Sequence, residues 1–277
     1  MPDARPSELI VESGGSALAA SDVGDGPAVL CLHGLTATRR YVLMGSRGLE
    51  RGGHRVLAYD ARGHGRSTPA PTSAGYGYEH LARDAVAVLD SAAIGSAVLV
   101  GVSMGAHTAA RVALEHPARV RGLVLVTPAY DPDRHGDRAS LARWDRLSEG
   151  LRQGGVEGFV SAYGEPPVPG AWRETVVAVL RQRLAAHQHP EAVADALRAV
   201  PRSRPFGELD HLRQLRMPVL IVASRDEADP EHPVAVARAW AQRMPRCRLV
   251  MEEPGRSPLA WQGGQLSRLV AGVANHA

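Results

Sequence analysis

The chain predicts an α/β fold, with a mostly parallel sheet, helices on both faces and a helical lid inserted between strands 6 and 7. Three observations carry that expectation. Short apolar runs alternate with stretches of helical periodicity, which implies parallel βαβ units in one sheet. The run Ala97-Val98-Leu99-Val100-Gly101-Val102-Ser103-Met104-Gly105-Ala106-His107 reads as a buried strand, a sharp turn and a helix. The alternation stops at Pro128, gives way to an Arg-rich helical segment up to Arg216, and resumes at Pro218. The expected division is a core of residues 1–130 and 217–277 and a lid of residues 131–216.

Residues 9–12 and 16–20 form the expected hairpin around Gly14-Gly15. Residues 28–32 are a continuous apolar run, as in a strand covered on both faces, and lead into His33-Gly34-Leu35-Thr36. A strand at 54–59 is followed by the Gly-rich turn Asp60-Ala61-Arg62-Gly63-His64-Gly65-Arg66-Ser67. Helical periodicity spans 78–92. After the strand at 97–102 comes a helix over 103–116, stopped by Pro117, and then a buried strand at 122–126. Within the insertion, helices are expected at 138–150, 156–163, 171–187 and 191–200, with breaks at Pro166-Pro167-Val168-Pro169 and between Pro201 and Pro205. The last elements are a strand at 218–223, a helix at 233–244, a strand at 248–252 and a helix at 264–274.

Gly-x-Ser-x-Gly at 101–105 carries the chemistry, because it follows a strand and opens a helix. A serine held in so sharp a turn leaves no room for side chains on the flanking backbone, hence the glycines two before and two after. The hydroxyl of Ser103 is then exposed at a helix N-terminus, where N–H groups and the helix dipole stabilise negative charge.

Composition narrows the field. Lysine is absent, so all 32 basic residues are arginine, which excludes Schiff-base lysines, the Walker phosphate loop and serine-lysine dyads. The net charge of +3 comes from arginines interspersed with 29 acidic residues, and no basic run suggests nucleic acid. Cys31 and Cys247 form no disulfide framework and fit a reducing compartment. No stretch approaches the length of a membrane span and residues 1–7 lack an export-like apolar segment, so the expected location is cytoplasmic. His187-x-His189 lacks a third metal ligand, and Gly63-x-Gly65 lacks the rest of a dinucleotide fingerprint, so no metal and no cofactor are expected.

Taken in order and spacing, His33-Gly34, the turn Asp60 to Ser67, Gly101-Val102-Ser103-Met104-Gly105 and the strand exit at 219–226 resemble the α/β-hydrolase superfamily, in its esterase and lactonase branch. The match covers nearly the whole chain, the lid least specifically. The resemblance implies an eight-stranded sheet of the α/β-hydrolase fold, a nucleophile at Ser103, an oxyanion hole from the Leu35 and Met104 amides, and an acid after the seventh strand, where Asp226 stands. Independently, Ser224-Arg225-Asp226 leaves its strand at the sheet edge where Ser103 sits and where open α/β sheets bind ligands. Asp226 could instead cap the turn before Pro230 or pair with Arg225, and Asp131 is the reserve acid.

The family's histidine belongs to a Gly-His-x-Pro-like segment after the eighth strand, and the matching residues here are Gly255-Arg256-Ser257-Pro258. Arginine stays protonated and offers no acceptor, so Arg256 cannot take the Ser103 proton. Losing the base costs roughly a millionfold in kcat in a serine protease, so a working enzyme needs a base from elsewhere. Of the 12 histidines, His232 is the leading candidate, on the loop Asp226-Glu227-Ala228-Asp229-Pro230-Glu231-His232-Pro233, with capping of the next helix as its alternative role. His135 is second; His33 and His64 read as structural or oxyanion-supporting, His107 as packed on the sheet, and His187, His189 and His211 as solvated.

The leading reading is a serine hydrolase of a small carboxylic ester, lactone or thioester. The alternative is a non-hydrolytic protein of the same fold, either a ligand-binding pseudoenzyme or a lyase or isomerase, with Arg256 paired to Asp226 or bound to a substrate carboxylate. His33, Arg256 and Trp261 are the further pocket candidates, Trp261 having packing against the last helix as its other reading. The expected partner is a small-molecule substrate or ligand, with no nucleic acid and no membrane; a homodimer is the assembly to test for.

Overall fold

A computed structural model describes residues 6–256 and 261–277. Eight strands form one sheet in the order β1-β2-β4-β3-β5-β6-β7-β8. β1 (Ser7–Ser13) and β2 (Ser16–Val23) make an antiparallel hairpin that turns at Gly14 and Gly15, both at positive φ (51° and 80°), and β2 pairs antiparallel with β4 (Arg55–Tyr59). From there β3 (Ala28–Leu32), β5 (Ala97–Val102), β6 (Val120–Val126), β7 (Val219–Ala223) and β8 (Cys247–Met251) run parallel with β4.

The apolar runs of the parallel strands are continuous because both faces are covered. Leu99, Leu123 and Ile221 face one layer, which includes α2 (Tyr78–Ser91), α3 (Met104–Glu115) and α7 (Val234–Arg243). Val98, Val100, Val124 and Val222 face the other, with α1 (Gly48–Arg51) and α8 (Gly263–Ala274). Every parallel strand therefore delivers its C-terminal end to the same edge, beneath the insertion.

Between β6 and β7 the chain forms α4 (Arg138–Tyr163), α5 (Gly170–Leu184) and α6 (Pro190–Ala199). The two helices expected at 138–150 and 156–163 run on as α4, broken only at Gly155, whose φ of 57° and ψ of −143° are not helical. Leu147, Leu151, Phe159 and Leu197 of these helices pack with Leu35, Tyr78 and Met104 in a separate apolar cluster that seats the insertion on the sheet edge. The helix expected to reach residue 187 ends at Leu184, which frees His187 for a buried position. α1 had no counterpart in the sequence reading; four residues are too few for a helical period to register.

Both cysteines are free, and burial pushes the Cys31 thiol up to about 12. Among the described residues, no helix is long and apolar enough to cross a membrane, and no three His, Cys, Asp or Glu residues stand together as a metal site.

Candidate active site

The turn between β5 and α3 exists because two glycines permit it. A Cβ on Gly101 would lie 2.2 Å from the Gly105 carbonyl oxygen, and one on Gly105 would lie 2.1 Å from the Leu32 oxygen. Ser103, between them, is held at φ 51° and ψ −112°, a strained conformation for a non-glycine residue, with its N–H donating to Val126 O at 2.9 Å. Its hydroxyl opens into a cavity of about 570 Å³ between the sheet edge and the insertion, a size suited to a small molecule.

His232 Nε2 lies 2.9 Å from Ser103 Oγ. His232 Nδ1 lies 2.8 and 2.9 Å from the two carboxylate oxygens of Asp229. The turn that brings them together is closed by His232 N donating to Asp229 O at 3.1 Å, so the loop after β7 supplies both groups. With Nδ1–H donating to Asp229, Nε2 is left as the acceptor facing the serine. Burial works against a charged imidazole here, but the Asp229 charge and hydrogen bond outweigh it, and the His232 pKa is raised above 6.5. Burial alone would raise the Asp229 carboxyl; His232 and the Arg183 guanidinium overcome that and hold it below the ordinary carboxylate value. A hydroxyl, a neutral imidazole and a carboxylate so arranged can pass a proton from Oγ to Nε2.

The acid expected at Asp226 is not where the structure puts it. Asp226 is exposed and accepts from Val234 N at 2.7 Å, capping the start of α7, while Asp229, three residues on, holds the imidazole. Sequence reasoning took the first carboxylate after the strand; the missed signal was the Asp229-Pro230-Glu231-His232 spacing, since a turn sets residues i and i+3 side by side. Asp131 Oδ1 accepts from Asp133 N at 3.0 Å, and His135 lies against the Tyr130 ring. Neither reaches the serine by any hydrogen bond found among the described residues.

Arg256 also departs from expectation. Its side chain is 65% exposed and pairs weakly with Glu253 at 3.5 Å. Trp261 donates from Nε1 to Ala223 O at 3.1 Å and packs with the α8 layer. Neither residue, nor His33, is among the described residues that line the cavity, so all three pocket expectations fail. The intervening positions 257–260 lie outside the described residues.

His33 acts from beneath. Its Nε2 accepts from Ala61 N at 2.9 Å, which puts the proton on Nδ1 to donate to Gly34 O at 2.8 Å. In a planar trans peptide the N–H of Leu35 points opposite the Gly34 carbonyl, so anchoring that carbonyl aims the Leu35 amide. Gly34 lies against the serine: a Cβ placed on it would be 3.6 Å from Ser103 Cβ. The next two carbonyls also meet ring nitrogens, Leu35 O facing His64 Nε2 at 2.6 Å and Thr36 O accepting from His187 Nε2 at 3.2 Å. The far side of the His187 ring accepts from Gly65 N at 2.8 Å, while His64 Nδ1 faces Arg62 O at 2.9 Å, so the single N–H of a neutral His64 serves one of its two carbonyls at a time. Three buried imidazoles thus rivet the loop after β3 to the turn after β4. Burial keeps them neutral, lowering His64 and taking His33 and His187 down to about 3. The solvated position expected for His187 is therefore wrong; no local pattern announces a contact with Thr36, 151 residues away.

Leu35 and Met104 both face the cavity, and Met104 is the first residue of α3, so its N–H has no acceptor within the helix. His107 is buried, as expected, and is hydrogen-bonded to Tyr78 Oη at 2.8 Å and to the amides of Ala129 and Tyr130.

Comparison with known proteins places this geometry. The sequence profile of the alpha/beta hydrolase fold matches residues 27–188. The candidate carbamate hydrolase RutD of Variovorax paradoxus (strain S110) is 35% identical over 209 residues, covering 74% of this chain and 75% of that protein. A thermophilic esterase from Thermogutta terrifontis superposes with a TM-score of 0.77 at 25% identity, over 99% of this chain and 98% of that one. The enol-lactonase of Burkholderia xenovorans LB400 shares the fold, with a TM-score of 0.77 at 21% identity over 96% of this chain and 100% of its own.

Proposed function

Because the chain belongs to the α/β hydrolase-fold family, we propose that it is a serine hydrolase of a small carboxylic ester, lactone or thioester, acting through an acyl-enzyme on Ser103. The observation that carries this reading is the 2.9 Å contact between Ser103 Oγ and His232 Nε2. Oγ attacks the substrate carbonyl as His232 takes its proton, and Asp229 stabilises the imidazolium that forms. The amides of Leu35 and Met104 receive the oxyanion of the tetrahedral intermediate. His232 then returns the proton to the leaving alkoxide or thiolate, and water, activated by the same imidazole, releases the acid and regenerates Ser103.

A carbamate fits the same sequence of steps, with nitrogen on the attacked carbonyl, and the 35% identical relative bears that name. The non-hydrolytic alternative drew its motive from Arg256, and the 65% exposed side chain of that residue weakens the motive. The deciding experiment is a pre-steady-state time course with a short-chain p-nitrophenyl ester, comparing the parent with Ser103→Ala. A Ser103-dependent burst followed by turnover is expected, with the variant's kcat lower by about 10⁶-fold. Equal release by both proteins overturns the reading.

A further inference from the structure

A buried charged group in the cavity has no use in the steps above. Arg183 stands in the last turn of α5 and lines the cavity that contains Ser103 and His232. Its Nε is shut off from solvent and has no hydrogen-bond partner among the described residues. The ring of Tyr41 lies under the guanidinium carbon at 5.5 Å, which supports the cation from one face. Two carboxylates of the same cavity are committed elsewhere: Asp229 to His232, and Glu231 to Arg143. Burial presses on the guanidinium, lowering its pKa. Arginine nevertheless stays charged, and the carboxylate whose charge reaches it, Asp229, spends its hydrogen bonds on His232, so the buried Nε donor is left unmatched.

A planar fork of donors in a small-molecule cavity matches one chemistry best, a carboxylate taken in two parallel hydrogen bonds. We propose that the substrate bears a free carboxylate, that Arg183 binds it, and that the enzyme acts on an acidic ester, lactone or thioester in preference to a neutral one. This assignment rests on the hydrolase reading for its reacting bond but not for its binding site. The anion-binding role expected of Arg256 does not suit that exposed residue, which is not among the described residues lining the cavity; the cavity arginine with a buried, unmatched donor is Arg183.

Two matched pairs of substrates test it. Mono-p-nitrophenyl glutarate against p-nitrophenyl valerate puts the charge on the acyl side, and 4-acetoxybenzoate against its methyl ester puts it on the alcohol side. In the parent, kcat/KM for the acid should exceed that for its neutral partner at least tenfold in one pair. Arg183→Gln should bring that ratio to about one, and Arg183→Lys, which keeps the charge but loses the fork, should fall between. No preference in either pair, or a preference that survives Arg183→Gln, overturns the assignment. A binding arm separates the two failures: calorimetry of the favoured acid and its neutral partner with Ser103→Ala, alone and combined with Arg183→Gln. If nothing is hydrolysed but the acid still binds tenfold tighter through Arg183, the hydrolase reading falls and the site stands; hydrolysis without acid preference fells the Arg183 assignment alone.

Discussion

Histidine does opposite work on the two sides of Ser103. On one side His33, His64 and His187 sit in the interior, each bonded to backbone, and burial keeps the first and last neutral down to about pH 3. On the other, His232 keeps 23% of its side chain exposed, faces a carboxylate, and has its pKa raised. The same ring is a rivet where its partners are neutral amides and carbonyls and a base where its partner is charged. What differs is the neighbour, Asp229.

Removing that neighbour is the largest test of the contrast. Asp229→Asn should lower kcat on the order of 10⁴-fold, as loss of the orienting carboxylate does in a serine protease. It should also move the rising limb of the pH–rate profile. In the parent that limb lies above 6.5, because the base must be neutral and Asp229 favours its charged form. Without Asp229 burial dominates and the limb moves to lower pH. A limb that stays in place would mean that His232 is not the group being titrated.

On the rivet side, His33→Ala should cost on the order of 10²-fold in kcat with little change in KM, comparable with losing an oxyanion donor, since the Leu35 amide loses its aim. The pH limb should not move, because His33 does not ionise in the working range. Loss confined to KM would separate the loop from the oxyanion.

A smaller difference lies in stability. His33, His107 and His187 are all taken down to about 3. Each accepts a proton below 6.5 only in the unfolded chain, so stability falls as pH drops from about 6.5 towards 3. The slope is ~1.4 kcal/mol per pH unit for each ring. His187→Gln should remove one ring's share of that slope in chemical denaturation at stepped pH; an unchanged slope would mean that His187 titrates freely. His232 runs the other way, adding stability at low pH that is lost as pH rises through its raised pKa.

How much of this was legible from sequence follows from how local each cause is. The parallel strands and the turn at Ser103 were legible because apolar runs and the glycines at 101 and 105 act within a few residues. His232 was within reach because its loop leaves the right strand, at the sheet edge of Ser103. Asp229 was not, because strand proximity favoured Asp226 and the choice between them turns on one backbone turn. His187 and Arg183 were invisible: their partners, Thr36 and the Tyr41 ring, come from the far end of the chain and meet them only after the insertion folds back.

The two aspartates of the loop after β7 sharpen the contrast at its smallest scale. Asp226 accepts one amide at the start of α7 and touches nothing in the cavity, so Asp226→Ala should remove a helix cap worth ~1 kcal/mol. That predicts a fall in Tm of about 2–4 °C with kcat close to the parent's. The same loop thus holds one carboxylate whose loss is read by a thermometer and another whose loss is read by a rate, three residues apart. If Asp226→Ala instead lowered kcat as far as Asp229→Asn does, the cap would be setting the turn that seats His232, and the base would owe its position to α7 as much as to Asp229.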